Sequence, residues 1–297
     1  IVVVDLNHDG KPDLIVVNQG CPTTGSDCLG VLLNNGNGSF QPVVVYASGG
    51  SALASGGTTV SPVVVGDLNG DGKPDLVVLS QGGGSNGDGV VGVLIGNGDG
   101  TFKPVVTYDS GGYYSNSIAM ADLNGDGKLD VAVMDCAPAG STSCSGSEDE
   151  SVGILLGKGD GTFKPVTTYD TGGAGSISPT PVMIADVNGD GKPDLLVGNA
   201  CALQNGSCVR EGSVGVLLGK GDGTFQAAVI YGTGYNAGML VLADLNGDGK
   251  PDLVVGNGSP GVLLGNGDGT FQAIQNYSSG GSTSPSLIWM EMASRIW

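Results

Sequence analysis

Aspartates dominate the residues that could do chemistry. Asp5, Asn7, Asp9 and Asp13 fall within one nine-residue stretch around Lys11, and the string returns four times. The later copies are Asp67, Asn69, Asp71, Lys73 and Asp75; Asp122, Asn124, Asp126, Lys128 and Asp130; Asp186, Asn188, Asp190, Lys192 and Asp194; and Asp244, Asn246, Asp248, Lys250 and Asp252. Positions 1, 3, 5 and 9 offer side-chain oxygens, position 7 (the Lys) offers only its backbone carbonyl, and Gly at position 6 permits a sharp turn. A donor set made wholly of hard oxygens suits Ca²⁺ and not zinc or copper. Three carboxylates in one short turn repel each other unless a cation offsets them. The expectation is about five Ca²⁺ sites, against the alternative of an ion-free Asx-rich turn.

The same spacing opens an EF-hand loop, which needs a bidentate Glu at position 12 and flanking helices. Position 12 is Val16, Val78, Val133, Val197 and Val255, each inside a β-branched run. The EF-hand and the related dockerin are therefore rejected.

Other chemistry finds little support. The single His, His8, occupies a variable loop position and is expected to face solvent. A Ser-His-Asp or Cys-His arrangement has no other base to draw on. Asp99, Asp160, Asp222 and Asp268 read as hairpin-turn residues, and Glu148-Asp149-Glu150 as a solvated acidic tip. No catalytic residue and no organic cofactor site is assigned.

Each metal loop must sit between strands. Val63-Val64-Val65 precedes the second loop and Leu76-Val77-Val78-Leu79 follows it; Val91-Gly92-Val93-Leu94-Ile95 and Pro104 to Tyr108 complete the unit, around the turn Asn97-Gly98-Asp99-Gly100. Gly, Asn and Asp accept the positive φ of tight turns. A Phe closes each turn region (Phe40, Phe102, Phe163, Phe225, Phe271) and a Tyr follows it (Tyr46, Tyr108, Tyr169, Tyr231, Tyr277). Four short antiparallel strands in about 60 residues, repeated, predict an all-β propeller of four-stranded blades. A stacked β-solenoid is the alternative, though its repeat is usually much shorter. Units start near residues 1, 62, 117, 181 and 239, within a repeat region spanning residues 1–286.

Asp67-Leu-Asn-Gly-Asp-Gly-Lys-Pro-Asp-Leu76, with Gly-Val-Leu-Ile-Gly-Asn-Gly-Asp-Gly-Thr-Phe ending at Phe102, resembles the FG-GAP/VCBS repeats of integrin-α-like propellers in secreted bacterial proteins. The resemblance implies Ca²⁺ in the loop joining the first two strands of each blade. It also implies a parent propeller of about seven blades, of which five are present. The chain opens on Ile1 with no leader-like run, as an interrupted array would.

Residues 287–297 (Leu-Ile-Trp-Met-Glu-Met-Ala-Ser-Arg-Ile-Trp) match no unit. Back-translated and read from the third base of each codon, they encode Asp-Leu-Asp-Gly-Asp-Gly-Lys-Pro-Asp-Leu with permitted synonymous codons. The expected origin is a frameshift within a sixth repeat.

The six Cys form local pairs, Cys21/Cys28, Cys136/Cys144 and Cys201/Cys208, between the second and third strands, and the second and fifth units lack both members. Present or absent together, they are expected to be disulfides in an oxidising, extracytoplasmic compartment. A net charge of −18, with 29 acidic and 11 basic residues, argues against nucleic acid and anionic lipid as partners. No apolar stretch reaches the length of a membrane span.

The function expected is a calcium-stabilised binding or adhesion scaffold, secreted or at the cell surface, recognising an extracellular protein or glycan through its loops. The alternatives are a polysaccharide lyase or hydrolase on the same fold, or a lectin-like module. Variable segments such as 110–117, 135–150 and 199–211 are expected to carry recognition. Tyr113, Tyr114 and Tyr235 are candidates for stacking on a sugar, or for ordinary loop packing.

Overall fold

A computed structural model describes residues 1–18, 21, 27–51, 62–84, 87–144, 149–174, 180–204, 207–209, 212–257 and 259–277. The anomalous segment 287–297 lies outside these. Among the described residues, strands of antiparallel β-sheet form the regular elements, because the β-branched runs are too short and too regularly broken by Gly and Asx turns for anything else.

The first unit is a four-stranded sheet of β1 (Val2–Val4), β2 (Asp13–Asn18), β3 (Cys28–Leu32) and β4 (Val44–Ala47), paired in chain order. The second contains β5 (Val63–Gly66), β6 (Asp75–Ser80), β7 (Asp88–Leu94) and the first part of β8 (Val106–Ala121). The rest of β8 begins the third unit, with β9 (Asp130–Pro138), β10 (Asp149–Leu155) and β11 (Thr167–Ala174). The fourth has β12 (Val182–Ala185), β13 (Asp194–Asn199), a hairpin of β14 (Cys201–Gln204) and β15 (Ser207–Val209), then β16 (Ser213–Leu217) and β17 (Val229–Gly232). The fifth is β18 (Met239–Ala243), β19 (Asp252–Asn257), β20 (Ser259–Leu263) and β21 (Gln275–Asn276). These are five blades of a β-propeller.

The core lies between blades, and strand alternation explains how it is built. In β6, Leu76 and Val78 pack towards the first blade while Val77 and Leu79 pack towards the third. Successive side chains on a strand point to opposite faces, so an internal blade buries both. That is why β6, β13 and β16 are apolar runs buried throughout and not alternating strands. Four such cores join consecutive blades.

Two segments expected to be recognition loops are sheet instead. Residues 110–117 lie inside the sixteen-residue β8, because Asp88↔Tyr113 on one side and Gly112↔Pro138 on the other keep its backbone paired. Within 199–211, β14 and β15 pair with each other, and β14 adds to β11 of the preceding blade through Gly173↔Ala202 and Ala174↔Cys201. Both extensions satisfy backbone groups at the blade rim that would otherwise lack partners. The long β8 joins the second and third blades, and the β14–β15 hairpin of the fourth unit adds to them, giving one nine-stranded sheet.

Candidate metal centre

Each Asp-rich loop links the first and second strands of its blade, and its side chains fold it. In the second loop, Asp67 Oδ1 accepts the N–H groups of Gly70 and Asp71 at 2.8 and 3.1 Å, and its Oδ2 accepts that of Gly72 at 2.8 Å. Asn69 Oδ1 accepts the Asp71 N–H at 2.8 Å, and Asp71 Oδ1 accepts the Lys73 N–H at 3.0 Å. These are Asx turns, in which a short side chain substitutes for a backbone acceptor. Asp186, Asn188 and Asp190, and Asp244, Asn246 and Asp248, repeat the arrangement.

Position 9 does something further. Asp75 is fully buried; its Oδ2 accepts the Leu68 N–H at 2.9 Å and its Oδ1 the Gly96 N–H at 2.7 Å. Asp13, Asp130, Asp194 and Asp252 make the equivalent pair of bonds. One carboxylate thus fastens the loop to the end of the third strand. Spacing alone did not reveal this role, although the position, at the first residue of an apolar strand, was a usable sign.

The motif lysines also do more than offer a carbonyl. Lys11, Lys73, Lys128 and Lys192 place Nζ 3.1, 3.3, 3.5 and 3.4 Å from Oδ2 of Asp9, Asp71, Asp126 and Asp190. The stem of Lys73 lies across the hairpin turn, where a Cβ on Gly98 (φ +84°) would come within 2.8 Å of its Cδ.

Burial pushes the carboxyls of Asp75, Asp130 and Asp194 above the usual range against the pull of their backbone donors, and the acids at positions 1 and 5 push the same way. The Lys11 ammonium holds Asp9 below it, as the Lys192 N–H does Asp190. The loops therefore carry repulsion that a divalent cation would relieve. Among the described residues no three His, Cys, Asp or Glu side chains converge as a metal cage. The donor set nevertheless fits calcium: each carboxylate oxygen has two acceptor sites, and the loop bonds leave capacity over.

His8 is exposed, with φ 58°, and its Nε2 lies 3.2 Å from the Gly72 carbonyl in the neighbouring loop. Glu150, expected in an acidic tip, is buried as the second residue of β10, because the strand begins at Asp149; Glu148 lies outside the described residues. Tyr114 is buried beside Cys136 and Ala137, with Tyr113 and Cys144 partly buried against them, so of the three candidate tyrosines only Tyr235 is mostly exposed. Asp135, which motif spacing does not single out, is fully buried, accepts a hydrogen bond from the Ser115 hydroxyl, and is pushed up to about 8 by burial. Its sign was an Asp standing where other units have Asn18, Ser80, Asn199 and Asn257.

Cys21–Cys28 and Cys136–Cys144 are disulfides. Cys201 is disulfide-bonded, while the side chain of Cys208 lies outside the described residues. Among the described residues no helix is long and apolar enough to cross a membrane.

The FG-GAP-like repeat profile matches residues 5–78, 67–133, 143–197, 207–255 and 244–290. Integrin alpha-IIb of Mus musculus is 28% identical over 157 residues, which is 48% of this chain and 15% of that protein. Among solved structures, the rhamnogalacturonan lyase YesW aligns with 86% of this chain and 51% of its own at 17% identity and a TM-score of 0.45. The V. cholerae biofilm matrix protein Bap1 aligns with 93% of this chain and 79% of its own at 13% identity and a TM-score of 0.34.

Proposed function

The chain belongs to the FG-GAP-like repeat family, and from that premise we propose that it is a calcium-stabilised extracellular scaffold that binds a protein or glycan and catalyses nothing. What carries the reading is the five-fold recurrence of one loop whose donors are all hard oxygens. Asp5, Asn7, Asp9, the Lys11 carbonyl and Asp13 would hold the first ion, and the matching residues of each later loop the others. The ion would supply charge neutralisation: it offsets three carboxylates that otherwise repel each other at one turn. The disulfides Cys21–Cys28 and Cys136–Cys144 support an oxidising, extracytoplasmic setting. The similarity to part of an integrin supports recognition of an extracellular partner.

Extracellular calcium modules bind with Kd of about 10⁻⁴–10⁻³ M, so ~10 mM Ca²⁺ contributes about 1.4–2.7 kcal/mol per site. Thermal unfolding with millimolar Ca²⁺ and with excess EGTA, at equal ionic strength, tests the reading. A midpoint raised well above the EGTA value is expected; an unchanged midpoint rejects structural calcium. A glycan array and turnover assays on polysaccharides then separate a binding module from an enzyme, and turnover would reject the non-catalytic part.

A further inference from the structure

The seam between the third and fourth blades is packed less fully than its counterparts. The residue three after each turn Phe is Val43, Val105, Val166, Ala228 or Ile274. In four blades this side chain covers a glycine of its own third strand. A Cβ on Gly30, Gly92 or Gly153 would come within 2.9–3.1 Å of Val43, Val105 or Val166, and one on Gly261 would run into Ile274. In the fourth blade the nearest neighbours of a Cβ on Gly215 are Val197 and the Thr171 carbonyl, and Ala228 is not among them. The glycines across the seam agree. Val105 and Val166 lie 3.3 and 3.0 Å from a Cβ placed on Gly49 and Gly111 of the preceding blade, whereas at Gly172 only Ile230 comes within 4 Å.

The missing carbons leave a cleft of ≈ 370 Å³ between the two blades. Its floor is the buried Phe225, which meets Tyr169 edge to face with centroids 5.5 Å apart. Ala227 and Ala228 add apolar surface, and the exposed Thr168, Asp170 and Gln226 add a hydroxyl, a carboxylate and an amide. Asp170 Oδ1 accepts the Gly172 N–H at 2.7 Å, which fixes the carboxylate and leaves its other oxygen as an acceptor. Protein interiors are close-packed, and a gap that a Val would fill costs stability. The volume instead falls in the range of small-molecule sites, with a few polar groups set around an apolar lining. Among the described residues lining it there is no Lys, Arg or His.

Resting on the reading of the chain as a glycan-binding scaffold, we propose that this cleft holds one neutral sugar residue, packed on Tyr169 and Ala228 and hydrogen-bonded by Asp170, Thr168 and Gln226. A pyranose has an apolar C–H face and a rim of hydroxyls. The aromatic and methyl surface takes the first, while the carboxylate, hydroxyl and amide take the second. Asp170, the net charge of −18 and the absence of a lining cation oppose a uronate or a sulfated sugar. A wholly apolar ligand would strip water from Asp170 without replacing its hydrogen bonds. The other three seams carry the same Tyr–Phe pair but keep Val or Ile at the position of Ala228, so the site occurs at this seam alone among the four.

NMR of the full chain with ¹³C-labelled alanine methyls, in millimolar Ca²⁺, tests this by titration with methyl glycosides of neutral hexoses, a deoxyhexose and a hexuronic acid. The Ala227 and Ala228 signals are expected to move and saturate with at least one neutral glycoside, while those of Ala137 and Ala237, buried elsewhere, stay still. Ala228→Val restores the side chain of the first three blades; it should weaken binding at least about tenfold, with an unfolding midpoint at or above the parent's. Asp170→Asn keeps an acceptor for the Gly172 N–H and should also weaken binding, through loss of the charge. Binding that leaves Ala227 and Ala228 unmoved, that survives Ala228→Val, or that prefers the uronate would overturn the proposal. So would methyls that respond to no glycoside; a glycan-array hit would then keep glycan recognition without this site, and a blank array would remove that reading as well.

Discussion

Tyr231 and Phe271, forty residues apart and in different blades, are joined twice. Their rings meet edge to face at 5.6 Å, and the Phe271 N–H donates to the Tyr231 phenol oxygen at 3.1 Å. One aromatic pair thus buries apolar surface between blades and satisfies a backbone donor at the same seam. Tyr46 and Phe102 repeat both contacts, the second at 3.4 Å.

The blade seams should hold most of the stability. Phe163→Ala or Phe225→Ala should each cost about 3–5 kcal/mol, the usual cost of emptying a buried aromatic site. Phe40→Ala, whose ring is 37% exposed, should cost clearly less, under about 1 kcal/mol. Urea unfolding of the three variants checks the contrast, and equal losses would mean that the seams are not where stability resides.

The position-9 aspartates should matter with or without calcium. Asp75→Ala leaves the Leu68 and Gly96 N–H groups without their acceptor in a buried place, at about 1–3 kcal/mol for each. Asp71→Ala removes an exposed acid and a surface ion pair, which contributes little without metal because solvent screens it. Melting both variants in EGTA should show a large loss for the first and little change for the second; adding Ca²⁺ should then separate Asp71→Ala from the parent.

Asp135 should make the chain less stable as pH rises. Burial first, then Asp109 and Asp88, pushes its carboxyl up to about 8, while Ser115 and Ser110 pull it back. The folded state therefore holds a proton that the unfolded state releases near pH 3.8. Its stabilisation is full below that value and disappears as pH climbs through about 8, by up to about 1.4 kcal/mol per pH unit. Asp135→Asn, the residue type at Asn18, Asn199 and Asn257, should flatten this slope and raise the midpoint at pH 8. Denaturant midpoints between pH 5 and pH 8.5 for both proteins provide the measurement.

His8 holds a left-handed backbone (φ 58°) where the other loops have Gly70, Gly125, Gly189 and Gly247 at φ 73–76°. A side chain there costs roughly 1–2 kcal/mol. His8→Gly should therefore stabilise the chain by about 1 kcal/mol, less whatever its contact with Gly72 contributes, as a calorimetric midpoint would record.

What the sequence determined by itself was local. The loops, turns and β-branched runs recur at fixed spacing, and each is dictated by a few neighbouring residues: Gly and Asx for positive φ, Val and Leu for strands, Asp for hard-oxygen donors. From Val63 to Tyr108 a blade can be written down without coordinates, together with its candidate calcium ligands. The pairing of Cys21 with Cys28 and of Cys136 with Cys144 was legible for the same reason, since both members lie in one short connection.

Tertiary structure decided whatever depends on which blade stands beside which. Tyr231 and Phe225 lie six residues apart in one unit, yet each bonds to a ring in a different neighbour. Residues 110–117 look like a polar connection until Pro138 and Ala137 present a strand edge to them. Asp75 reads only as a metal ligand in the sequence, and its second role, fastening the loop to the third strand, shows once that strand brings the Gly96 N–H within 2.7 Å of it. A repeat specifies its own blade through contacts close in sequence, whereas a strand edge, a buried donor or a neighbouring ring becomes a partner only after the chain has brought distant segments together.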